Sequence, residues 1–209
     1  MRRVVLVLVA MALALLLVSG VAWAVNKIGT DGPDTLRGTN GDDNLIGKGG
    51  NDRLFGLHGR DTLLGGPGKD LVDTHPTGSR TGDKNLLGGP GNDIVFGGWG
   101  SDKVVGEEGN DLLPDGPVRD VALDIVSGGA GSDVIFVASL RLRATAPDIV
   151  TCGSGFDRVL ADTKDVVAPD CEKVVLFRGG TRSEYFDLVD EFFAEVPPSF
   201  FEGLQPGVF

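Results

Sequence analysis

Aliphatic residues recur along this chain at every ninth position. From residue 29 to 73 they are Leu36, Leu45, Leu54, Leu63 and Val72, each two residues after an aspartate: Asp34, Asp43, Asp52, Asp61 and Asp70. Two glycines precede each aspartate at fixed distances, as in Gly29 and Gly32, Gly38 and Gly41, or Gly47 and Gly50. The three residues after each aspartate predict a very short strand whose position-eight side chain points inward. One such strand buries almost nothing, so a core requires many units stacked on one another.

After Asp73 the register breaks. Residues 74–78, with His75, predict a loop of five inserted residues at a corner. In the next unit, 79–87, Gly82 keeps position four and Lys84 stands where the aspartate is expected. The full pattern returns with Gly88, Gly91, Asp93 and Val95, then Gly97, Gly100, Asp102 and Val104, then Gly106, Gly109, Asp111 and Leu113. A second slip at 115–118 leads to a decayed unit that keeps Asp124, Ile125 and Val126. Gly128, Gly131, Asp133 and Ile135 match fully. Asp148-Ile149-Val150 survives from another decayed unit, and Gly155, Asp157 and Val159 mark the last.

The unit has a physical logic. Glycine at positions one and four admits backbone conformations closed to residues with a Cβ, and lets carbonyl oxygens turn toward a common point. A carboxylate at a fixed position adds a hard anionic ligand, suited to calcium far more than to zinc or copper. Stacked strands lie about 4.8 Å apart. Carboxylates repeated at that spacing repel by roughly 3 kcal/mol per pair at an effective dielectric near 20. A divalent cation between coils removes that repulsion. The bland alternative is a metal-free solenoid in which each aspartate caps a turn by hydrogen bonding to backbone. It weighs most for Asp124, Asp148 and Asp157, whose units have lost glycines.

These units resemble the RTX, or haemolysin-type, calcium-binding nonapeptide repeat. The resemblance implies an all-β fold, a parallel β-roll (β-solenoid) over residues 25–160, with Ca2+ as its cofactor. It implies metal ligands at Asp34, Asp43, Asp52, Asp61, Asp70, Asp93, Asp102, Asp111 and Asp133. In that family two units make one coil, so Asp34 faces Asp52, Asp43 faces Asp61, Asp52 faces Asp70 and Asp93 faces Asp111. Asp102 is left without a good partner, because Lys84 stands two units before it and the Asp124 unit has lost its glycines. About four well-formed sites are expected, completed by glycine carbonyls.

The segment 148–175 resembles the terminal segment of many secreted actinobacterial repeat proteins of this class. Cys152 and Cys171 are expected to pair, closing a cap over residues 161–182, since a roll end needs cover for its strand edge and core. Beyond it, Thr181 and Glu184 form a capping-box pattern, and Tyr185, Val189, Phe192, Phe193 and Val196 share one helical face. Residues 183–209 are therefore read as an amphipathic helix with an aromatic tail, Phe200, Phe201, Leu204 and Phe209. Two uses stay open: docking on the roll, or recognition of a protein or cell-surface partner. A C-terminal secretion signal ranks behind both.

Residues 1–24 are read as a signal peptide. Arg2 and Arg3 precede an apolar run from Val4 to Val18, and Ala22-Trp23-Ala24 fits a cleavage site. The alternative is an uncleaved anchor. The formal net charge of −11, with Lys and Arg in the minority, disfavours nucleic acid, whose binding rests on those residues. The 33 glycines fall mostly in register, so they report repeats and not disorder. No His-Glu-x-x-His, Gly-x-Ser-x-Gly or phosphate-binding Gly-Lys-Ser/Thr occurs, and His58 and His75 have no nucleophile arrangement beside them. The expectation is an exported, non-enzymatic calcium-binding protein without stable membrane insertion after cleavage. An enzyme on a solenoid scaffold stands as the analogy-based alternative.

Overall fold

Short parallel strands alternate between two sheets, so the chain winds as a flattened helix with one strand on each side per turn. The structure is a computed structural model and describes residues 24–73, 82–83, 85–114, 116, 122–139, 146–196 and 198. The segment up to residue 23 read as a signal peptide, the loop expected around His75, Lys84 and the aromatic tail lie outside the described residues. The odd sheet joins β1 (Asn26–Ile28), β3 (Asn44–Ile46), β5 (Thr62–Leu64), β7 (Asn85–Pro90), β9 (Lys103–Glu108), β11 (Ile125–Ala130), β13 (Ile149–Ser154) and β15 (Val166–Val167), in that spatial order. The even sheet joins β2 (Thr35–Arg37), β4 (Arg53–Phe55), β6 (Leu71–Asp73), β8 (Ile94–Phe96), β10 (Leu112–Pro114), β12 (Val134–Phe136), β14 (Arg158–Asp162) and β16 (Lys173–Phe177). The parallel β-roll read from the repeats is the fold.

Register follows the nine-residue period. Leu45 pairs with Leu63, Leu63 with Leu86, and Leu36 with Leu54 in the opposite sheet. The position-eight side chains thus stack into one column per sheet, and the two columns meet as the core. Leu45, Leu54, Leu63, Val72, Leu86, Val95, Val104, Leu113, Val126, Ile135, Val150 and Val159 are all 0% exposed. Burying one such side chain yields about 2 kcal/mol. With one inward residue in nine, the groups between coils must carry much of the holding as well.

Both sheets run past residue 160: β15 and β16 add a last coil through the segment expected as the cap. Cys152, in β13, is bonded to Cys171, which lies between β15 and β16, as the sequence reading expected. Beyond it a helix, α1 (Arg182–Ala194), carries the expected capping box. The Glu184 N–H donates to Thr181 Oγ1 at 3.3 Å, and the Thr181 N–H donates to Glu184 Oε2 at 2.6 Å.

The helix lies on the outer surface of the even sheet. Tyr185 is fully buried there, its ring edge-on to Phe177 at 4.9 Å and its hydroxyl donating to the Ala138 carbonyl at 2.7 Å. Glu195 is paired with Lys173, and its carbonyl accepts from Arg158. A second apolar cluster forms at this contact, from Ile94, Leu112, Val134, Phe136 and Leu160 of the sheet with Tyr185, Phe192 and Val196. Of the five residues expected on the inner face of the helix, Tyr185, Phe192 and Val196 are buried, and Val189 and Phe193 are partly buried against the same cluster. Among the described residues, no helix is long and apolar enough to cross a membrane.

Candidate metal centre

The strands from β2 to β15 each follow an aspartate, and the fold turns these aspartates into two files along the edges of the roll. One carboxylate oxygen of each reaches back one coil. The Asp34 N–H donates to Asp52 Oδ1 at 2.8 Å, the Asp52 N–H to Asp70 Oδ1 at 2.8 Å, and the Asp70 N–H to Asp93 Oδ1 at 2.7 Å. The file continues through Asp111, Asp133 and Asp157, and ends where the Asp157 N–H donates to Glu172 Oε2 at 2.8 Å. On the other edge it runs Asp43, Asp61, Asp83, Asp102, Asp124, Asp148 and Asp165. All nine aspartates predicted as ligands stand in these two files, and each of the four predicted facing pairs is a pair of neighbours within a file.

One expectation is overturned. Asp102 has neighbours on both sides, because Asp83, and not the position of Lys84, fills the file before it. The spacing is 22 residues from Asp61 to Asp83 and 19 from Asp83 to Asp102, against 18 in the regular units. Four extra residues are therefore accommodated before Asp83 and one after it, where the sequence reading placed all five before the unit. Asp124 takes the other side, its Oδ1 accepting the Asp102 N–H at 2.6 Å despite the lost glycines.

The second carboxylate oxygen is the informative one. Oδ2 of Asp52, Asp70, Asp93, Asp111, Asp133 and Asp157 is buried with no hydrogen-bond partner. Burying such an oxygen unpaired costs at least ~1–3 kcal/mol, more when it is charged. The aspartates at the N-terminal end differ: Asp34 and Asp43 direct Oδ2 to the Thr30 and Thr39 N–H groups, each at 2.5 Å.

The glycine at position one explains where the lone oxygens point. A Cβ on Gly106 would collide with Asp111 Oδ2 and would lie 2.6 Å from the Gly128 carbonyl oxygen. The same pair of oxygens converges beside Gly128, from Asp133 and the Cys152 carbonyl, and beside Gly47, from Asp52 and the Gly65 carbonyl. Only glycine leaves this cradle open. Its donors are all hard oxygens, one formally anionic, the set that calcium prefers. Among the described residues no three His, Cys, Asp or Glu side chains assemble as a cluster. The oxygens come instead as single carboxylates in file, with carbonyls between them.

Charge is costly here. Burial pushes the Asp93 carboxyl up to about 8 and those of Asp111 and Asp133 to about 7, although each accepts a backbone N–H that pulls the other way. Repulsion between file neighbours adds to the rise: Asp70 and Asp111 both act on Asp93.

Some participants escaped the sequence reading. Asp83, Asp165 and Glu172 hold file positions at spacings of 22, 17 and 15 residues. A second, outer file uses position five. Asn51 Oδ1 accepts the Lys69 N–H, Asn92 Oδ1 the Asn110 N–H, and Asn110 Oδ1 the Ser132 N–H, at 2.8–3.0 Å. The recurring Asn or Asp just before the position-six aspartate was the available signal.

A family model described as the RTX calcium-binding nonapeptide repeat matches the chain in four copies, over residues 28–63, 37–72, 81–113 and 123–138. No curated protein matches it.

Proposed function

Because the chain is an RTX calcium-binding nonapeptide-repeat protein, whose repeats bind calcium ions, we propose that it is an extracellular module whose folding is linked to calcium outside the cell. Its role on this reading is structural or adhesive and not catalytic, with the nine repeat aspartates as the principal ligands. The observation that carries the proposal is the row of buried, partnerless Oδ2 atoms, those of Asp52, Asp70, Asp93 and Asp111 beside a glycine carbonyl of the next coil and that of Asp133 beside the Cys152 carbonyl. Without a cation, burial and mutual repulsion oppose ionisation of these carboxylates. Calcium supplies the positive charge that offsets both. Asp52, Asp70, Asp93, Asp111 and Asp133 would hold it through Oδ2, while Oδ1 stays committed to the preceding coil.

Millimolar extracellular calcium saturates even weak sites of this kind and stabilises the fold by mass action. The leading basic-apolar segment serves export on this reading, and residues 1–24 are removed. On this reading the repeat carboxylates serve register and calcium, and the two cysteines are committed to one bond. Most of the apolar face of α1 is spent on the chain's own sheet, so a cell-surface or protein partner would meet its outer face, where Phe186 is 38% exposed.

The test is circular dichroism of residues 25–209 titrated with calcium, then with excess EDTA, with magnesium as control. A calcium-specific, reversible gain of β signal is expected. A spectrum already β-rich in EDTA and unmoved by calcium would leave the aspartates as turn chemistry in a metal-independent solenoid.

A further inference from the structure

The odd sheet turns an apolar stripe outward along its whole length. Position-nine residues point away from the core, and on the first five strands of this sheet they are Ile28, Ile46, Leu64, Leu87 and Val105. Strand pairing sets each against the next: Ile28 with Ile46, Ile46 with Leu64, Leu64 with Leu87, and Leu87 with Val105. At β11 this row passes to Ser127. The stripe there steps across to position seven, where Ile125 pairs with Ile149 and Ile149 with Val166. Ile28 is 63% exposed at one end and Val166 57% at the other, with Ile125 and Ile149 exposed between them. Ile46, Leu64, Leu87 and Val105 are half-buried. On the opposite sheet the outward residues Ile94, Leu112 and Val134 are buried in the cluster that α1 joins.

Charge singles out the same face. The chain carries 30 acidic residues and a net charge of −11, yet positions seven and nine of the odd sheet from β1 to β13 hold no acid. Beside the apolar row, position seven reads Asn26, Asn44, Thr62, Asn85 and Lys103. The carboxylates lie elsewhere, in the files along the edges and on the exposed side of α1, at Asp187, Asp190 and Glu191. Two copies meeting by an edge or by α1 would bring like charges together, which is costly. Two copies meeting by their odd sheets would not.

The dimensions suit such a pair. From β1 to β15 is seven strand steps, about 34 Å. Two rows with their side chains are about 14 Å wide, so two copies bury roughly 950 Å², near the lower bound of a specific interface. A two-fold axis along the roll, over the position-nine row, lays each residue of that row against its own counterpart, with the sheets about 10 Å apart. Lys103 and its counterpart then fall on opposite sides of the axis, about 14 Å apart. That exceeds the screening length of about 8 Å at physiological salt.

We propose that this stripe is a homodimer contact: two copies of the chain pack their odd sheets face to face, position-nine row on position-nine row. The contact needs the folded roll and not the mode of its folding, so it goes beyond the calcium reading.

Sedimentation equilibrium of the calcium-saturated full chain tests this, with a dimer expected at micromolar concentrations. A monomer throughout, or a ladder of larger species, would overturn the proposal. Leu64→Glu/Leu87→Glu should raise the dimer Kd at least about 100-fold, because it buries charge without a partner. Phe186→Glu, on the helix, should leave the Kd unchanged, and any other pattern would overturn the proposal. Dichroism of the same samples reports the roll itself, so failure of the calcium reading and failure of the dimer are read separately. A second measurement uses Leu87→Cys and a short bismaleimide, since the two native cysteines are bonded to each other. A covalent dimer is expected from Leu87→Cys and none from Phe186→Cys; the reverse, or none from either, would overturn the contact. Should the glutamate variant fail to fold, the crosslink decides alone.

Discussion

Each repeat aspartate does two jobs with its two oxygens, and substitution separates them. Asp111→Asn keeps an Oδ1 for the Asp93 N–H and removes the charge. In EDTA at pH 8 this variant is expected to be at least as stable as the parent, since a buried carboxylate carries a cost that an amide does not. In calcium it should lose about 1–3 kcal/mol, the scale of a hydrogen bond or ligand contact to a charged group, with its calcium midpoint moved upward. Asp111→Ala removes both jobs and should be destabilised in EDTA as well, because the Asp93 N–H loses its acceptor. Denaturant unfolding of both variants with and without calcium measures the split. The pH dependence belongs to the same residues. Asp93 and Asp148 stand at about 8, and Asp111 and Asp133 at about 7, against 3.8 unfolded, with burial as the leading cause. Below pH 4 these groups are neutral in both states. As pH rises toward 8 the unfolded chain gives up its protons first, so the metal-free roll loses stability across that window. Its Tm in EDTA is expected to fall from pH 5 to pH 8. In saturating calcium the decline should vanish or reverse, because the ligands must be ionised; parallel declines in the two conditions would rule out ion binding at these groups.

At the level of elements, the short strands were legible because their signal is periodic and redundant. Leu54, Val72 and Val95 each sit two residues beyond an aspartate, and all three are fully buried. The failures lie where spacing drifts. In residues 82–84 the sequence is Gly-Asp-Lys, and counting in nines from the previous unit lands on the lysine; the fold moves one residue of the insertion downstream and seats Asp83. Asp165 and Glu172 were missed because the final coil is shorter than 18 residues, and because Glu172 reaches with a longer side chain what Asp reaches elsewhere. The even sheet's outward apolar column was visible as Leu71, Ile94, Leu112 and Val134, yet only position eight had been read for burial. The terminal bond gives this scale its prediction. Cys152 and Cys171 enclose a separation of 19 residues, for which the chain-entropy model gives about 3 kcal/mol. The double variant Cys152→Ser/Cys171→Ser should lose about that much in unfolding experiments. Its hydrogen exchange should accelerate first in β13, β15 and β16, with β3 and β5 little changed.

Over the described residues, the interior of the roll is two columns of side chains, so each coil depends on the coils beside it. The extra residues between Asp70 and Asp93 and between Asp111 and Asp133 interrupt the period without interrupting either file: Asp70 still reaches Asp93, and Asp111 still reaches Asp133. The repeats on either side of these extra residues are thus one continuous stack, and calcium unfolding curves followed at the two ends should coincide. Labels placed near β3 and near β13 can check this, with two separated midpoints as the contrary result. The files also have a direction. In every step of the two inner aspartate files the backbone donor belongs to the earlier coil and the carboxylate acceptor to the later one, whereas the outer file runs the other way. The two ends of the stack are therefore chemically unlike. Shortening the roll from its beginning uncovers a carboxylate, which water solvates at little cost. Shortening it from its end strands a buried N–H, which water cannot reach as easily. A chain synthesised amino end first presents the donors of these two files before their acceptors have been made. Each new coil then closes the one before it, and the last closure falls to Asp165, Glu172 and the cysteine pair. The carboxyl end of the stack is thus the closed end and the amino end the open one.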